Sequence, residues 1–576
     1  MQLSRINVCE ALVDILQRFG VEYVFGIPGD AINTLTDVLR RQDQIKFINM
    51  RHEESGAFAA SAIAKLTGKL SVCLGTAGPG AIHLLNGLYD AKLDRAPVLA
   101  ITGQTETQFA GKDYYQEIDT ISLFQDVSVF NKSIINPGQM PFMAIHACQN
   151  ALAKSGVAHL NIPVDLAEAK VDDYKKSVYI FTDNDPVTPS ANAVQKAAAL
   201  LNKHKKVAML VGEGARGASE ELHQVARLLN APIVKTVRAK DVIPDDHPHV
   251  TGGLGLLGTK PSVEAMEGCD LLFMVGTDFP YYPFYPDRKV PAVQIDHDAS
   301  QIGKRHPVEA ALVGDTKTSL KSLLPHLQQK ESNKYLEELQ KSVEKYWASM
   351  AKKEESNDQP LHPQALARAI GEHAKDDALF ICDTGAVTLW GSRNLHLRGK
   401  QQFTLSSDLA SMAYGLPASI GLQLTCPGKQ VIAMVGDGGF SMLMADFVTA
   451  VKYKLPVKIV IFNNRKLGII QMEQEVAGYP EHETGLADID FARFAELCGG
   501  KGLSVEKPEE LDDALQMAFN SDKPFIVDVA VNPEEKTMPP EIKLKQAWGY
   551  GISKMKELAG EGDKKGGLDV IKSALT

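Results

Sequence analysis

The sequence predicts an α/β protein of three doubly wound parallel-sheet domains followed by a short C-terminal tail. Short apolar runs alternate with longer stretches of helical period, and that alternation breaks twice, once in polar and once in charged sequence. The 576 residues, at about 100–200 residues per domain, leave room for three such units. With 44% hydrophobic and 23% charged residues the composition is that of an ordinary globular chain. No stretch approaches the roughly 18 consecutive apolar residues of a membrane-spanning helix. Lys plus Arg total 61 against 71 Asp plus Glu, a net charge of −10. Without a long basic run, no nucleic-acid partner is expected.

In the first unit, residues 1–180, INVCEALVDILQRF predicts a helix with Ile6, Cys9, Leu12, Val13 and Leu16 on one face. VEYVFGI, IKFINM, LSVCLGT and APVLAIT read as buried parallel strands. Around residues 170–190, polar residues with Pro186 and Pro189 end the rhythm and mark a boundary. The second unit, 190–335, carries strands at KVAMLVG, PIVKTV, LLFMVG and AVQID, and ends in a charged segment, residues 328–360, predicted to be a solvated interdomain helix. The third unit, 360–535, has strands ALFICD, KQVIAMVGD, VKIVIFNN and PFIVDVAV; residues 536–576 form the tail. The first twenty residues lack the apolar core and small-residue cleavage site of a secretory signal, and the seven cysteines are scattered without metal spacing. A cytoplasmic protein with reduced thiols is expected.

The most specific pattern lies in the third unit. Gly436-Asp437-Gly438 closes the strand VIAMV, and Asn463-Asn464 closes the next strand, VKIVIF. A crossover helix between them, SMLMADFVTAVKYK, would bring both strand ends to the carboxyl edge of one parallel sheet, where α/β folds bind ligands. A carboxylate, an amide oxygen and backbone carbonyls are hard oxygen donors suited to a divalent cation that also holds phosphate oxygens. The glycines allow close approach of a diphosphate, and the following helix N-terminus favours its charge.

At these residues the chain resembles the thiamine diphosphate enzymes, whose cofactor motif is G-D-G followed by N-N, and the resemblance extends over nearly the whole chain. It implies three α/β domains in order: pyrimidine-binding, central and diphosphate-binding. It implies Asp437 and Asn464 as Mg²⁺ ligands, completed by a backbone carbonyl near Lys466. Arg51-His52-Glu53-Glu54 follows the strand IKFINM as the family's R-H-E does, which assigns Glu53 to the aminopyrimidine ring, with Glu54 the competing candidate. A carboxyl sharing a proton with that ring promotes removal of the weakly acidic thiazolium proton. Gly29, in Phe25-Gly26-Ile27-Pro28-Gly29-Asp30, and Gly78, in Gly75-Thr76-Ala77-Gly78-Pro79-Gly80, match the family's glycine turns on the pyrimidine side. Met412 matches the apolar residue that props the cofactor in its bent shape.

Which reaction follows is decided more by the central unit. Gly212 and Gly214, the run Leu254, Gly255, Leu256 and Leu257, the run Gly276, Thr277, Asp278, Phe279 and Pro280, and Asp296 resemble the flavin-binding segments of the pyruvate oxidase group. FAD is therefore an expected cofactor beside thiamine diphosphate and Mg²⁺. Glu473 stands where the acetohydroxyacid synthases, which resemble this segment, carry a tryptophan; Tyr114-Tyr115-Gln116-Glu117 resembles the oxidases' Y-F-Q-E. Tyr115 replaces the usual Phe, and Ile469 stands where several oxidases carry an aromatic residue. Glu53, Gln116 and Glu473 are the expected catalytic residues.

Pro539-Pro540-Glu541-Ile542-Lys543-Leu544 and Gly549-Tyr550-Gly551 resemble the quinone-linked, membrane-activated pyruvate dehydrogenases more than the phosphate-dependent oxidases. The implied reaction is oxidative decarboxylation of pyruvate to acetate and CO₂ with electrons passed to a quinone. The alternatives are a phosphate-dependent oxidase that makes acetyl phosphate and H₂O₂ from O₂, and an acetolactate synthase-type carboligase. Residues 551–576, with apolar faces Ile552, Met555, Ala559 and Leu568, Ile571, Leu575 and a net charge of +1, suit either reversible docking on the inner face of the cell membrane or packing on their own subunit. The resemblance also implies a homo-oligomer, at least a dimer and in the fullest form a tetramer, because the family builds each site between two chains.

Overall fold

The computed structural model describes residues 6–171 and 185–536, together with Ser553 and Lys556. It contains three six-stranded sheets, every strand pair within them parallel. The first sheet is built from β1 (Tyr23–Gly26), β2 (Lys46–Asn49), β3 (Ser71–Gly75), β4 (Val98–Gln104), β5 (Ser128–Ser133) and β6 (Val157–Pro163), in spatial order 2-1-3-4-6-5. The central sheet is built from β7 (Val207–Val211), β8 (Ile233–Lys235), β9 (Val250–Gly253), β10 (Leu271–Val275), β11 (Ala292–Asp296) and β12 (Ala310–Val313), in the order 9-8-7-10-11-12. The third comprises β13 (Leu379–Cys382), β14 (Gln402–Leu405), β15 (Val431–Gly436), β16 (Lys458–Asn463), β17 (Lys501–Val505) and β18 (Phe525–Ala530), in the order 14-13-15-16-18-17. The first and third sheets thus share one topology. The central sheet has the 3-2-1-4-5-6 order of dinucleotide-binding folds.

The buried strands explain the apolar runs. All residues of Ser71–Gly75, Val207–Val211, Leu271–Val275 and Lys458–Asn463 are buried, as helices on both sheet faces require. The first helix, Val8–Arg18, opens with a capping box in which Asn7 and Glu10 exchange hydrogen bonds, and it buries Cys9, Leu12, Val13 and Leu16. Ile6 departs from the sequence reading: it lies in a two-residue strand, Ile6–Asn7, paired antiparallel with Lys170–Val171. The charged segment forms the helix Lys334–Glu354, which buries only Leu336 and Leu339, as a solvated helix should.

The first and third sheets are joined through two helices, α1 (Glu53–Thr67) and α2 (Gly415–Thr425), whose residues belong to one core. Phe58 meets the Tyr414 ring edge-on at 5.7 Å. A methyl group at Gly421 would stand 2.7 Å from the Ala59 carbonyl oxygen, so glycine sets how closely the helices approach. The crossover after Gly436 is not one helix. It runs as Asp437–Leu443, a tight turn at Met444–Asp446, and Phe447–Lys452. The buried Asp446 carboxylate accepts from the Arg51 N–H at 2.9 Å and from Thr449 Oγ1 at 2.8 Å, which ties the break to the first domain.

Candidate active site

The strand ends β15 and β16 do converge. Met412, Gly436, Asp437, Gly438, Asn464 and Lys466 line one cavity of about 230 Å³ at the carboxyl edge of the third sheet. Asp437 is the first residue of its helix and is 6% exposed. Burial, with repulsion from Asp528, pushes its carboxyl up to about 6. The Asn464 side-chain oxygen accepts from the Lys466 N–H at 3.1 Å, which turns the chain so that Asn464 and residues 466 to 471 wall the cavity. A methyl group on Gly438 would come within 3.1 Å of Leu467 and Leu486 and 3.4 Å of Met412 Cε, so Met412 stands directly over the G-D-G turn. A buried carboxylate, a side-chain amide oxygen and a small-residue floor fit Mg²⁺ and a diphosphate.

Sequence reasoning missed part of this cavity. Thr384 and Gly385 line it, and the preceding Asp383 is 1% exposed, with burial pushing its carboxyl up to about 7. Asp383 sits where a methyl on Gly439 would fall, 2.7 Å from Oδ2. The signal was present: Asp-Thr-Gly follows the strand ALFIC as Gly-Asp-Gly follows VIAMV.

The pyrimidine-side residues stand elsewhere on the chain. None of Glu53, Gly29, Gly78 and Gln116 lines the cavity. Glu53 opens α1 behind the N-cap His52 and is 6% exposed; its Oε2 lies 2.9 Å from His83 Nδ1. Glu54 instead accepts from Asn86 Nδ2 at 2.6 Å, and Asn86 also reaches Ser411 Oγ. Gly78 has φ +62°, and a methyl there would be 3.0 Å from the Gln116 carbonyl oxygen, so the two loops are packed together. A methyl on Gly29 would overlap Thr76 at 2.4 Å. Glu473 is exposed on the helix Gly468–Val476, outside the cavity lining, although Ile469 and Ile470 of the same helix belong to it.

In the central domain the expected flavin residues gather at the carboxyl ends of β7, β9, β10 and β11. The Gly212 N–H donates to Val275 O at 3.0 Å and the Gly214 N–H to Gly276 O at 3.1 Å. A methyl on Gly212 would be 2.1 Å from Gly276 O, so these glycines are required first by the crossing of two loops at the switch point. Asp296, 4% exposed, ends β11 and accepts from the Asp298 N–H at 3.0 Å. Asp278 pairs with Arg95 at 3.0 Å, and Thr277 Oγ1 accepts from the Phe279 N–H. Pro280 follows, half-buried. Gly255, at φ +97°, packs on the Phe279 ring; Leu254 is buried and Leu256 half-exposed. The carbonyls of Leu256 and Leu257 accept from Arg393 of the third domain, which fixes this loop to the neighbouring sheet.

The tail lies outside the described residues except at two points. Ser553 Oγ donates to Tyr479 O at 2.6 Å and Lys556 Nζ to Gly478 O at 2.9 Å, both just beyond the helix Gly468–Val476. Among the described residues no helix is long and apolar enough to cross a membrane.

Three family models match the chain in sequence: the N-terminal TPP binding domain of thiamine pyrophosphate enzymes over residues 6–123, their central domain over 194–323, and their C-terminal TPP binding domain over 383–529. The chain is 45% identical to the Bacillus subtilis protein YdaP, described as thiamine pyrophosphate-containing, over 94% of both chains. It is 33% identical to a pyruvate oxidase of Lactiplantibacillus plantarum, covering 93% of this chain and 90% of that one. It is 30% identical to the large subunit of acetolactate synthase isozyme 2 of Escherichia coli, over 93% and 97%. Three parallel sheets in this order, the converged Asp437 and Asn464, and these similarities place the chain in the thiamine pyrophosphate enzyme family, within the group that holds pyruvate oxidases and acetolactate synthases.

Proposed function

We propose that the chain is a pyruvate oxidoreductase that converts pyruvate, water and an oxidised quinone to acetate, CO₂ and the reduced quinone, with thiamine diphosphate, Mg²⁺ and FAD. The observation that carries the redox reading is the dinucleotide-type strand order of the central sheet, with Gly212 and Gly276 at its switch point and the buried Asp296 at the next strand end. Those groups fit a dinucleotide: backbone close to the pyrophosphate and a carboxylate for hydroxyl groups. The similarity to a pyruvate oxidase supports the same reading.

Bound thiamine diphosphate supplies the electron sink for the bond broken as CO₂ leaves. The protein positions and activates it. Asp437, Asn464 and the Lys466 carbonyl would hold Mg²⁺; Met412 would fix the bent shape; Glu53 would hold the proton at the pyrimidine ring; Gln116 would face the reacting carbon, and Glu473, exposed outside the cavity lining, would reach it only if the helix Gly468–Val476 turned its face on assembly. Because Glu53, Gly29, Gly78 and Gln116 lie away from the cavity that carries Asp437, the chain offers two half-sites, which supports completion by a second copy in a dimer or tetramer. The contacts of Ser553 and Lys556 at Tyr479 and Gly478 set these two tail residues just beyond the helix Gly468–Val476, which supports packing of the tail on its own subunit; docking on a membrane surface would require these contacts to be released.

A second reading, the phosphate-dependent oxidase, shares the cofactors and differs in the electron acceptor; the pyruvate oxidase relative supports an oxidase of either kind. Purified protein assayed with pyruvate and a quinone analogue should release acetate and CO₂ without a phosphate requirement. Phosphate-dependent H₂O₂ and acetyl phosphate would select the second reading, and acetolactate without net electron transfer would select a carboligase.

A further inference from the structure

The Glu53 carboxylate does not stand alone. His83 Nδ1 lies 2.9 Å from Oε2, and the His83 ring stacks on His52 at 4.3 Å between centroids, 27° from parallel. The His52 ring is itself held, since its Nδ1 accepts the Glu54 N–H at 3.2 Å. The other oxygen, Oε1, faces Gly80, where a methyl group would approach to 3.3 Å. One carboxylate oxygen is therefore engaged by an imidazole whose plane is fixed, and the other is turned towards a bare glycine backbone. His83 closes the short helix Pro79–His83, which begins at the Gly78 turn, so the glycine loop leads directly to the histidine that meets Glu53.

We propose that His83 is a positioning residue for Glu53: its Nδ1–H donates to Oε2, fixes the carboxylate rotamer, and thereby presents Oε1 to N1′ of the cofactor's pyrimidine ring. This rests on the assignment of Glu53 to that ring. A carboxylate at the end of three flexible torsions would otherwise lose directionality, and a hydrogen bond to a charged group sharpens it. The stacking on His52 makes the ring a rigid strut. Nothing in the arrangement requires His83 to touch the cofactor.

Two variants separate hydrogen bonding from ring packing. His83→Asn keeps a donor and removes the ring; His83→Phe keeps the ring and its stacking on His52 and removes the donor. The readout is the ratio of affinities, measured with Mg²⁺ by titration of the full-length protein, for thiamine diphosphate and for its pyridine analogue that lacks N1′. It is accompanied by the rate of C2–H/D exchange in bound thiamine diphosphate. His83→Phe should lower the affinity ratio about 10-fold and slow exchange by 10-fold or more, while His83→Asn stays within about threefold of the parent in both. Thermal melts of both variants control for folding. Glu53→Gln tests the underlying assignment: if it leaves the ratio unchanged, Glu53 is not the ring's partner. If Glu53→Gln collapses the ratio and His83→Phe does not, or if His83→Asn fails as badly as His83→Phe, the positioning role of His83 is wrong.

Discussion

Arg238 donates from Nη2 to the backbone carbonyl of Asp94 at 2.8 Å, across 144 residues of sequence. The same guanidinium contacts the Glu213 carboxylate and stands 3.7 Å from both Asp278 and Asp408, so one cation is shared by all three domains. It is 8% exposed. Removing one partner of a buried ionic cluster strands the others, which costs about 3–5 kcal/mol. Arg238→Met should lower the melting temperature more than any single surface-charge substitution, as differential scanning calorimetry would register.

The same cluster predicts a pH effect. Burial, reinforced by repulsion from Asp94, Asp278 and Glu213 and opposed by Arg238, pushes the Asp408 carboxyl from 3.8 up to about 6. A carboxyl raised on folding binds its proton more tightly in the folded state. Its contribution to stability is therefore complete below about pH 4 and is lost as pH rises through about 6. Asp408→Asn should gain stability relative to the parent between pH 4 and pH 8, by on the order of 2 kcal/mol. Parallel melts at the two pH values check the sign.

Gly421 gives a test of the junction between the first and third domains. A methyl group there would meet the Ala59 carbonyl oxygen at 2.7 Å, on a backbone that cannot move without disturbing the Phe58–Tyr414 contact. Gly421→Ala should destabilise the protein by about 1–3 kcal/mol, the cost of overpacking, despite the higher helix propensity of alanine. An unchanged melting temperature would show that the helices are free to separate.

At the third-domain cavity, Asp437→Ala should weaken Mg²⁺-dependent binding of thiamine diphosphate by at least about 100-fold, beyond what loss of a supporting group costs. Isothermal titration with and without a chelator provides the comparison. Chelation should reduce affinity in the parent and make little further difference in the variant.

Glu53→Gln keeps the size of the side chain and removes its proton chemistry. Turnover should fall about 10²–10⁴-fold, the range for loss of a general acid or base, with little change in melting temperature.

The parts of this arrangement that were legible in the sequence are those where burial and chemistry coincide. Val431–Gly436 and Lys458–Asn463 read as strands because helices cover both faces, and Asp437 and Asn464 directly after them line one cavity. The edge strands Ser128–Ser133 and Lys501–Val505 were not legible, since half-exposed strands tolerate polar residues and read as loops. Val157–Pro163 escaped for another reason. It is wholly buried, yet His159 and Asn161 interrupt the apolar run, and only the fold shows that both bond to Thr102. Within the site, Asp437 and Asn464 were found by spacing, whereas Asp446 was not, because its partner, the Arg51 N–H, lies 395 residues away. The exposure of Glu473 was also hidden: a motif match fixes a position in the chain but not the direction in which a helix turns its face.

The proposed function turns on the oxidation of pyruvate through a bound flavin to a quinone. The most direct measurement is the visible flavin absorbance of the purified protein, loaded with thiamine diphosphate, Mg²⁺ and FAD, and mixed with pyruvate in the absence of oxygen. The band should bleach, a quinone analogue should restore it, and acetate and CO₂ should appear in step with the quinone reduced. A protein that takes up no flavin, or one whose flavin band stays unchanged while acetolactate accumulates, would contradict the proposed function.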